Sequence, residues 1–416
     1  MKIYLEVYGC TANKSDASLI KGLLKEESHE IVEKINDSDV IILLTCTVIG
    51  TTEQRMLSRL REFKKTDKKI IVTGCMASAQ SDLVKSIVPN AQLLSPQYIY
   101  NILDLLDDKK VSLKKRNKTL FPKYYSNIVA PISIAEGCMF SCSYCITSIA
   151  RGKLKSYPID EVVKNVCSAL RQGCKEIQLT AQDTGSYGLD SNKNLGELLT
   201  SVCKVKGEHR IRLGMANPCT ILKNLDSTIQ AFNNTKMYKF LHIPVQSGDN
   251  DILKKMNRKY TVDDFLEIVK KFRNNYADPT ISTDIIVGFP TETDEQFQHT
   301  INLLKTVKPD ITNVTRYSSR PHTKAKVMKG RIQTDVAKER SKILTKLCIE
   351  LSKENNLRHV GREYVVLITE KGKNNTVIGR TENYKPVVIR EKTEMGKTTH
   401  VIITDAASTH LFGRLI

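Results

Sequence analysis

The sequence contains no apolar run that approaches the roughly 18 residues needed to span a membrane. Its first residues, MKIYLEVYGC, also lack the apolar core and the small-residue cleavage site of a signal peptide. These absences predict a cytoplasmic protein with no membrane partner. Thiols stay reduced in that compartment. The 11 cysteines are therefore expected to bind metal or a cluster or to pack as small buried side chains, and a disulfide framework is not expected.

Acidic residues are scarce relative to basic ones. The chain has 45 Asp and Glu against 64 Lys and Arg, which gives a formal net charge of +19. A balance this basic favours a polyanionic partner, with nucleic acid first among the candidates. The length of 416 residues predicts two or three domains.

Three cysteines stand close together in the segment CMFSCSYC, at Cys138, Cys142 and Cys145. Thiolates with this CxxxCxxC spacing can converge only around a metal ion or a cluster. A 4Fe-4S cluster normally takes four thiolates, so three would leave one iron open to a ligand that is not protein. The alternatives are a zinc knuckle without its fourth ligand and chance clustering. The spacing favours the cluster.

Three further cysteines follow three predicted strands. The runs KIYLEVYGC, DSDVIILLTC and KKIIVTGC end at Cys10, Cys46 and Cys75, and helical stretches separate them. Alternating strands and helices predict an open parallel sheet, in which ligands bind beyond the carboxyl ends of the strands. Neighbouring strands lie about 4.8 Å apart, so the three thiols could reach one cluster. Three small buried core cysteines are the alternative.

Strand-like runs recur between helical stretches from residue 124 to residue 350, and they predict a partial (βα)6 barrel. The runs lie at 130–135, 176–181, 210–216, 240–245, 281–288 and 311–317. Residues at the carboxyl ends of barrel strands face the active site, and amide side chains there suit a charged, nucleotide-like cofactor. The candidate cofactor-binding residues are Gln182, Asp183, Asn217, Gln246 and Gly288. Gly288 would allow the backbone to approach an adenine ring.

Two other segments differ in character from the barrel. Residues 109–123 contain seven basic and no acidic residues, and they predict a linker that either contacts phosphates or is simply solvated. Residues 357–416 alternate apolar and polar positions between turn residues, which predicts a small antiparallel β-barrel. Aromatic rings can stack on RNA bases, and Tyr384 and Phe412 are the candidates for that role in this barrel.

These motifs resemble known families over essentially the whole chain. The CxxxCxxC loop after a strand resembles the radical S-adenosylmethionine (SAM) superfamily, and YGCTANKSDA, LLTCTV and VTGCMASAQ resemble the N-terminal domain of the methylthiotransferases. The tail is similar to a TRAM domain, an RNA-binding barrel. The resemblance implies an auxiliary-cluster domain at 1–108, a basic linker at 109–123, a radical SAM barrel at 124–350 and a TRAM domain at 357–416.

The same resemblance implies the cofactors. One 4Fe-4S cluster would be held by Cys138, Cys142 and Cys145, and its open iron would bind SAM and produce a 5′-deoxyadenosyl radical. By resemblance, Tyr144 would lie against the adenine of SAM. An auxiliary 4Fe-4S cluster would be held by Cys10, Cys46 and Cys75 and would supply sulfur to the substrate.

The family has several branches. The sequences of the motifs YGCTANKSDA, LLTCTV and VTGCMASAQ most resemble the branch that methylthiolates C2 of threonylcarbamoyladenosine (t6A) at position 37 of tRNA. The expected partners are therefore the anticodon stem-loop of tRNA and an electron donor such as ferredoxin or flavodoxin. The alternatives are the branches that act on isopentenyladenosine-37 or on an aspartate of a ribosomal protein, and a non-catalytic RNA-binding protein. Six intact cysteines argue against the last of these.

Overall fold

A computed structural model describes residues 1–48 and 50–416. The chain divides into two compact units. The first contains Met1–Gly173, Gln178–Gln182 and Ser318–Lys326, and the second contains Cys174–Ile177, Asp183–Tyr317 and Val327–Ile416. Within the described residues, no helix is both long and apolar enough to cross a bilayer.

The first unit begins with alternating strands and helices. In chain order its elements are β1 (Lys2–Val7), α1 (Thr11–Glu26), β2 (Glu30–Val32), β3 (Val40–Thr45), α2 (Gly50–Phe63), β4 (Lys69–Gly74), α3 (Cys75–Ala79), α4 (Ser81–Ile87), β5 (Gln92–Leu94), α5 (Ile102–Leu106), β6 (Val129–Ser133), β7 (Ala135–Glu136), α6 (Thr147–Arg151), β8 (Lys155–Ser156) and α7 (Ile159–Arg171). Short 3-10 helices lie at Ile35–Asp37, Pro96–Asn101 and Lys118–Leu120.

Strands β1 to β5 form one sheet in the order β2-β1-β3-β4-β5, and every pairing in it is parallel. Strand β3 has the sequence VIILLT and all six of its residues are buried, as expected for a central parallel strand covered on both faces. Apolar side chains pack on both sides of the sheet, in two separate clusters. The predicted open parallel sheet is confirmed.

The basic segment 109–123 is not a solvated connector along its whole length. Lys118 is only 5 % exposed and makes ion pairs with Asp16 at 3.0 Å and with Glu136 at 2.7 Å. Lys118 therefore neither contacts phosphate nor lies in solvent, the two possibilities expected for this segment, because its ammonium group is paired with carboxylates of the protein. Sequence alone could not identify these partners, since Asp16 lies 102 positions away.

The second unit contains the remaining elements, and the division between the units falls within strand β9. In chain order the elements are β9 (Glu176–Thr180), α8 (Leu195–Cys203), β10 (Arg210–Leu213), α9 (Pro218–Leu222), α10 (Leu225–Phe232), β11 (Phe240–His242), α11 (Asn250–Lys255), α12 (Val262–Asn275), β12 (Thr280–Val287), α13 (Asp294–Val307), β13 (Ile311–Arg316), α14 (Thr334–Leu357), β14 (Glu363–Lys371), β15 (Val377–Arg380), β16 (Pro386–Ile389), β17 (Thr398–Ala406) and β18 (Leu411–Leu415). A 3-10 helix of this unit lies at Thr184–Ser186, and another, at Lys324–Val327, is divided between the two units.

Parallel strands separated by helices make up the first part of this unit. Strands β11, β12 and β13 pair in parallel in that order, and an isolated parallel bridge joins Ile211 of β10 to Met237.

The sequence also determines where a helix between these strands begins. Helix α12 begins with a capping box of Thr261 and Asp264, which satisfies backbone N–H groups at its first turn. The strand positions match the predicted βα repeats.

The tail forms a closed barrel in the order β14-β15-β16-β18-β17. Its core is a cluster of aliphatic side chains, and alternate positions along the strands are buried, as predicted. Tyr384 does not face solvent. It is 9 % exposed and packs with Tyr238 and Phe240, so the expectation that it stacks on RNA bases is wrong. Phe412 on β18 is half-buried, and its role stays a prediction.

Candidate cluster and cofactor site

The three strand ends that carry Cys10, Cys46 and Cys75 are tied to one another by hydrogen bonds. The side-chain amide of Asn13 donates to the carbonyl of Tyr8 at 2.6 Å and to the carbonyl of Thr45 at 2.9 Å. The hydroxyl of Thr45 in turn donates to the carbonyl of Thr73 at 2.6 Å. These bonds join β1, β3 and β4 just before each cysteine. The sheet therefore delivers all three thiols to one edge, as predicted.

Two glycines allow these loops to approach closely. Gly9 has a φ of +110°, and a Cβ atom built on it would lie 2.8 Å from the Cβ of Cys46. Gly74 has a φ of +89°, and its Cβ would lie 2.3 Å from the carbonyl oxygen of Thr45. A residue with a side chain would have to push the neighbouring strand end away. Each glycine directly precedes a cysteine, so the close approach and the thiol positions are linked.

The chemistry of these thiols fits an iron–sulfur cluster. Cys46 and Cys75 are buried and Cys10 is exposed. Burial raises the pKa of the Cys46 thiol to about 11, and charges on Cys75 and Cys10 add to the rise. The mutual influence of Cys10, Cys46 and Cys75 shows that the three sulfurs are neighbours, and a metal that binds Cys46 must displace its proton.

A cubane cluster places different demands on cysteine spacing than a single metal ion does. Among residues 1–48 and 50–416, no three His, Cys, Asp or Glu side chains are gathered tightly enough to hold one ion. A cubane cluster binds each thiolate at a different iron, so its cysteines stand further apart than the ligands of a single ion.

The CxxxCxxC loop lies between β7 and α6. Cys138, Cys142 and Cys145 are all half-buried. The backbone N–H of Cys138 donates to Gly152 O at 3.0 Å, and that of Cys145 donates to Cys142 O at 3.1 Å. The N–H of Phe140 donates to the Cys138 sulfur at 3.4 Å, the kind of bond that tunes cluster-bound thiolates. The loop is thus a compact turn with its thiols accessible, which fits a cluster with one open iron.

Residues 318–326 belong to the same unit as the two cysteine sets. The N–H of Ala325 donates to the carbonyl of Ser143, inside the CxxxCxxC loop, at 2.7 Å. The guanidinium of Arg320 pairs with Glu53 on α2, the helix that follows Cys46. Residues 318–326, far downstream in the sequence, thus hold both the CxxxCxxC loop and helix α2 in place.

The structure places Gln182 beside the CxxxCxxC loop. Its side-chain oxygen accepts a hydrogen bond from the N–H of Gly137 at 2.6 Å, directly before Cys138. Tyr144 is half-buried within the loop itself. Both positions are compatible with SAM contact, which stays a prediction for these two residues.

In the second unit, Asp183 and Asn217 come together. The carboxylate of Asp183 accepts from the N–H of Asn217 at 2.8 Å and from the N–H of Gly185 at 3.0 Å. Burial raises the pKa of Asp183 to about 6, although these hydrogen bonds act to lower it. The side chain of Asn217 caps α9 by accepting from the N–H of Cys219 at 3.1 Å. Both side chains therefore support loops at strand ends, and their contact with SAM stays a prediction.

The two remaining predicted residues lie at the carboxyl ends of their strands. Gln246 has a φ of +71°, and its backbone N–H donates to Asp284 O at 2.8 Å on the neighbouring strand β12. Gly288 follows β12 and has a φ of +70°, and its N–H donates to the carboxylate of Glu292 at 2.8 Å. Their contacts with SAM stay predictions.

Sequence reasoning missed a polar group within the barrel strands. His242 on β11 pairs with Asp284 on β12 at 3.0 Å, and Asn313 on β13 donates to the same carboxylate at 2.7 Å. Burial is the largest single influence and opposes ionisation of Asp284. The hydrogen bond and charge of His242, the bond from Asn313 and the charge of Arg258 together outweigh it, so the pKa of Asp284 is lowered. An aspartate inside the apolar run ISTDIIVG was the one available signal.

Sequence reasoning also missed a buried ionic group in the first unit. Asp16 and Arg151 are each 3 % exposed, and they pair at 2.8 Å. Glu136 and Lys118 complete the group. Its members are too far apart in sequence to be recognised as partners.

Family models match three parts of the chain. The Radical SAM superfamily matches residues 132–304, the Uncharacterized protein family UPF0004 matches residues 2–95, and the TRAM domain matches residues 357–416. A solved radical S-adenosylmethionine methyltransferase, TsrM from Kitasatospora setae, aligns over 78% of this chain and 74% of its own, with a TM-score of 0.59 and 13% identity. That likeness shows the fold alone, and it confirms the predicted class.

Full-length relatives identify the family more closely. A probable threonylcarbamoyladenosine tRNA methylthiotransferase of Pyrococcus horikoshii is 42% identical over 427 residues, covering 100% of both chains. A protein of Archaeoglobus fulgidus with the same name is 40% identical, covering 100% of this chain and 99% of its own. The human threonylcarbamoyladenosine tRNA methylthiotransferase is 32% identical, covering 99% of this chain and 74% of its own.

These names agree with the branch expected from YGCTANKSDA, LLTCTV and VTGCMASAQ, and they favour it over the alternatives. The predicted cofactors, two 4Fe-4S clusters and SAM, are those of this family. The chain belongs to the threonylcarbamoyladenosine tRNA methylthiotransferases, a family of radical SAM enzymes.

Proposed function

We propose that this enzyme methylthiolates C2 of threonylcarbamoyladenosine at position 37 of tRNA and so produces 2-methylthio-t6A. The observation that carries the proposal is the position of the cysteines. Both sets of three lie in the first unit. Helices α3 and α6 pack against each other through Cys75, Ala79, Ile146 and Ala150. The site at the strand ends and the CxxxCxxC loop therefore share one packed body.

Each cysteine set has a separate role in this proposal. Cys138, Cys142 and Cys145 hold the cluster that binds SAM, and Cys10, Cys46 and Cys75 hold the auxiliary cluster. When bound, these groups supply radical abstraction of an aromatic hydrogen and delivery of a methylated sulfur, chemistry that no protein acid or base performs. The chain's own residues fix where the thiols stand and how far water can reach them.

The loops around the thiols are held in ways that suit this division. The bonds from Asn13 and Thr45 fix the strand ends on the auxiliary side. The CxxxCxxC loop is held by Gln182, which bonds to Gly137 just before it, and by Ala325, which bonds to Ser143 within it. Half-buried thiols at Cys138, Cys142 and Cys145 leave the SAM side open to a ligand. On the auxiliary side Cys46 and Cys75 are buried, and the exposed Cys10 leaves that side open as well.

The tRNA would be bound in part by the C-terminal barrel. A formal charge of +19 favours a phosphate backbone as the partner. Binding should therefore weaken as salt concentration rises, with a slope set by the number of phosphates contacted. A cytoplasmic location and an electron donor such as ferredoxin or flavodoxin are parts of the same proposal. The domain boundaries at 108, 124, 350 and 357 are also part of it, supported by the three matched ranges.

The test begins with mass spectrometry of tRNA nucleosides from cells with and without the protein. Loss of 2-methylthio-t6A on deletion is expected, and loss of the methylthio derivative of isopentenyladenosine instead would refute the proposed substrate. Protein purified without oxygen should carry about eight irons per chain.

Two triple variants separate the roles of the cysteines. Replacement of Cys138, Cys142 and Cys145 by Ala should abolish SAM cleavage. Replacement of Cys10, Cys46 and Cys75 by Ala should spare cleavage and stop sulfur insertion. Methylthio product from the second variant would contradict the role assigned to the first domain.

A further inference from the structure

Helix α6 follows the CxxxCxxC loop by one residue and ends at Arg151, whose side chain is 3 % exposed. The Arg151 guanidinium does not point to solvent or to the loop it follows. Its Nη2 donates to the side-chain oxygen of Asn13 at 2.6 Å and lies 2.8 Å from a carboxylate oxygen of Asp16. Both partners belong to α1, the helix that begins directly after Cys10.

Asn13 connects this guanidinium to two of the auxiliary cysteines. Its side-chain oxygen accepts from Arg151, and its NH₂ group donates to the carbonyls of Tyr8 and Thr45. Tyr8 stands two residues before Cys10, and Thr45 stands one residue before Cys46. With its amide group fully used, Asn13 is fixed in one orientation. Arg151 thus determines how the first two cysteine-bearing strand ends are held.

The third auxiliary cysteine lies on an element that packs against the helix of Arg151. Cys75 begins α3, and α6 ends at Arg151. Cys75 also packs against Ile146 and Ala150 of α6. One arginine therefore interacts with the surroundings of all three auxiliary thiols.

The charges around Arg151 nearly balance. Arg151 and Lys118 are positive, Asp16 and Glu136 are negative, and all four are largely buried. A buried ionic group of this kind is weak evidence for stability, because desolvation offsets most of the attraction between the charges. Its position beside three thiols points to a different use, since nearby charge and hydrogen bonds set the reduction potential of a cluster.

We propose that Arg151 is a positioning residue for the auxiliary cluster: it aligns the loops of Cys10, Cys46 and Cys75 and raises the reduction potential of the cluster they hold. This inference rests on the proposed auxiliary site. A positive charge stabilises the more negative, reduced form of a cluster, so Arg151 acts in the direction of easier reduction. Asp16, on the other side of the same ion pair, acts in the opposite direction.

The experiment uses the full chain with Cys138, Cys142 and Cys145 replaced by Ala, so that only the auxiliary site can take up a cluster. After reconstitution without oxygen, the midpoint potential is measured by a redox titration followed by electron paramagnetic resonance. Arg151→Gln should shift the midpoint to lower potential, and Asp16→Asn should shift it to higher potential. Arg151→Lys keeps the charge and should remain close to the parent.

Opposite shifts separate this role from a purely structural one, since loss of packing alone would move both variants in the same direction. Shifts of the same sign, or no shift in either variant, would overturn the inference. Arg59→Gln is the matched control, because Arg59 pairs with Glu6 and Glu62 and should leave the midpoint unchanged.

Two further measurements cover a variant that does not fold and a site that does not bind iron. If Arg151→Gln alone does not fold, the neutral double variant Asp16→Asn/Arg151→Gln replaces it, and its midpoint should fall below that of Asp16→Asn. An equal midpoint would count against the inference. Iron content is measured separately. A parent that binds no iron at Cys10, Cys46 and Cys75 would refute the proposed function itself, before any question about Arg151 arises.

Discussion

Replacement of Tyr384 tests whether the turn between β15 and β16 is a structural anchor or an RNA contact. The ring centroid of Tyr384 lies 4.7 Å from that of Tyr238 and 5.1 Å from that of Phe240. Its hydroxyl donates to the carboxylate of Glu176 at 2.9 Å. Burial raises the pKa of Tyr384, and the Glu176 carboxylate adds to the rise, so the hydroxyl stays a donor at neutral pH.

The energies follow from these contacts. Tyr384→Phe removes a hydrogen bond to a buried carboxylate and should lower the free energy of unfolding by about 2 kcal/mol. Tyr384→Ala also removes a buried ring packed against two others, and the total loss should be about 4 to 6 kcal/mol. An exposed ring that only stacked on bases would instead cost about 1 to 3 kcal/mol of RNA binding per base, with no loss of stability.

The assay is guanidinium denaturation followed by circular dichroism, since the chain has 15 Tyr and no Trp for fluorescence. Binding of an anticodon stem-loop is measured in parallel by fluorescence anisotropy. Phe412→Ala is the control, because Phe412 lies half-buried on β18 of the same barrel. If Tyr384→Ala left the denaturation midpoint unchanged but weakened RNA binding, the assignment of Tyr384 to the protein interior would be wrong.

Three other substitutions test the packing described above. Lys118→Met removes a cation from the buried Asp16 and the partly buried Glu136, and it should lower the free energy of unfolding by about 3 to 5 kcal/mol in denaturant titrations. An unchanged midpoint would contradict the ion pairs. Gly74→Ala should destabilise the chain and reduce iron uptake at the auxiliary site, whereas Gly173→Ala, with a similar φ of +88° but no atom within 4 Å, should load iron normally. Equal iron uptake by the two variants would contradict the close approach at Gly74.

Asp183 has a folded-state pKa of about 6 against a usual 3.8, so its protonated form favours the folded state. Its contribution is complete below about pH 4 and is lost as pH rises through 6, a change of about 3 kcal/mol for two units. Asp183→Asn should remove this part of the pH dependence, as measured by denaturation at several pH values, and an unaltered pH profile would contradict it.

The fold could be predicted from sequence where local patterns decide it. The short run VIILLT, bounded by polar residues and rich in β-branched side chains, favours a strand covered on both faces, and a cysteine directly after such a strand is expected at the carboxyl edge of a parallel sheet. Interactions between distant residues could not be predicted in this way. The partners of Lys118 and His242 are far away in sequence, and no periodicity connects them. Tyr384 is an aromatic residue of the kind that stacks on RNA bases. It lies in a turn with a positive φ of +66°, and its ring packs inward against Tyr238 and Phe240.

The hydrogen bond from Ala325 to Ser143 and the ion pair from Arg320 to Glu53 have a consequence for how the enzyme is made. While the ribosome is still translating the barrel, the nascent first unit lacks residues 318–326, which hold the CxxxCxxC loop in place. Iron loading before residue 326 has left the exit tunnel would meet an unfinished site. Fragments truncated after α7 should accordingly hold iron poorly, even though they contain all six cysteines proposed as ligands.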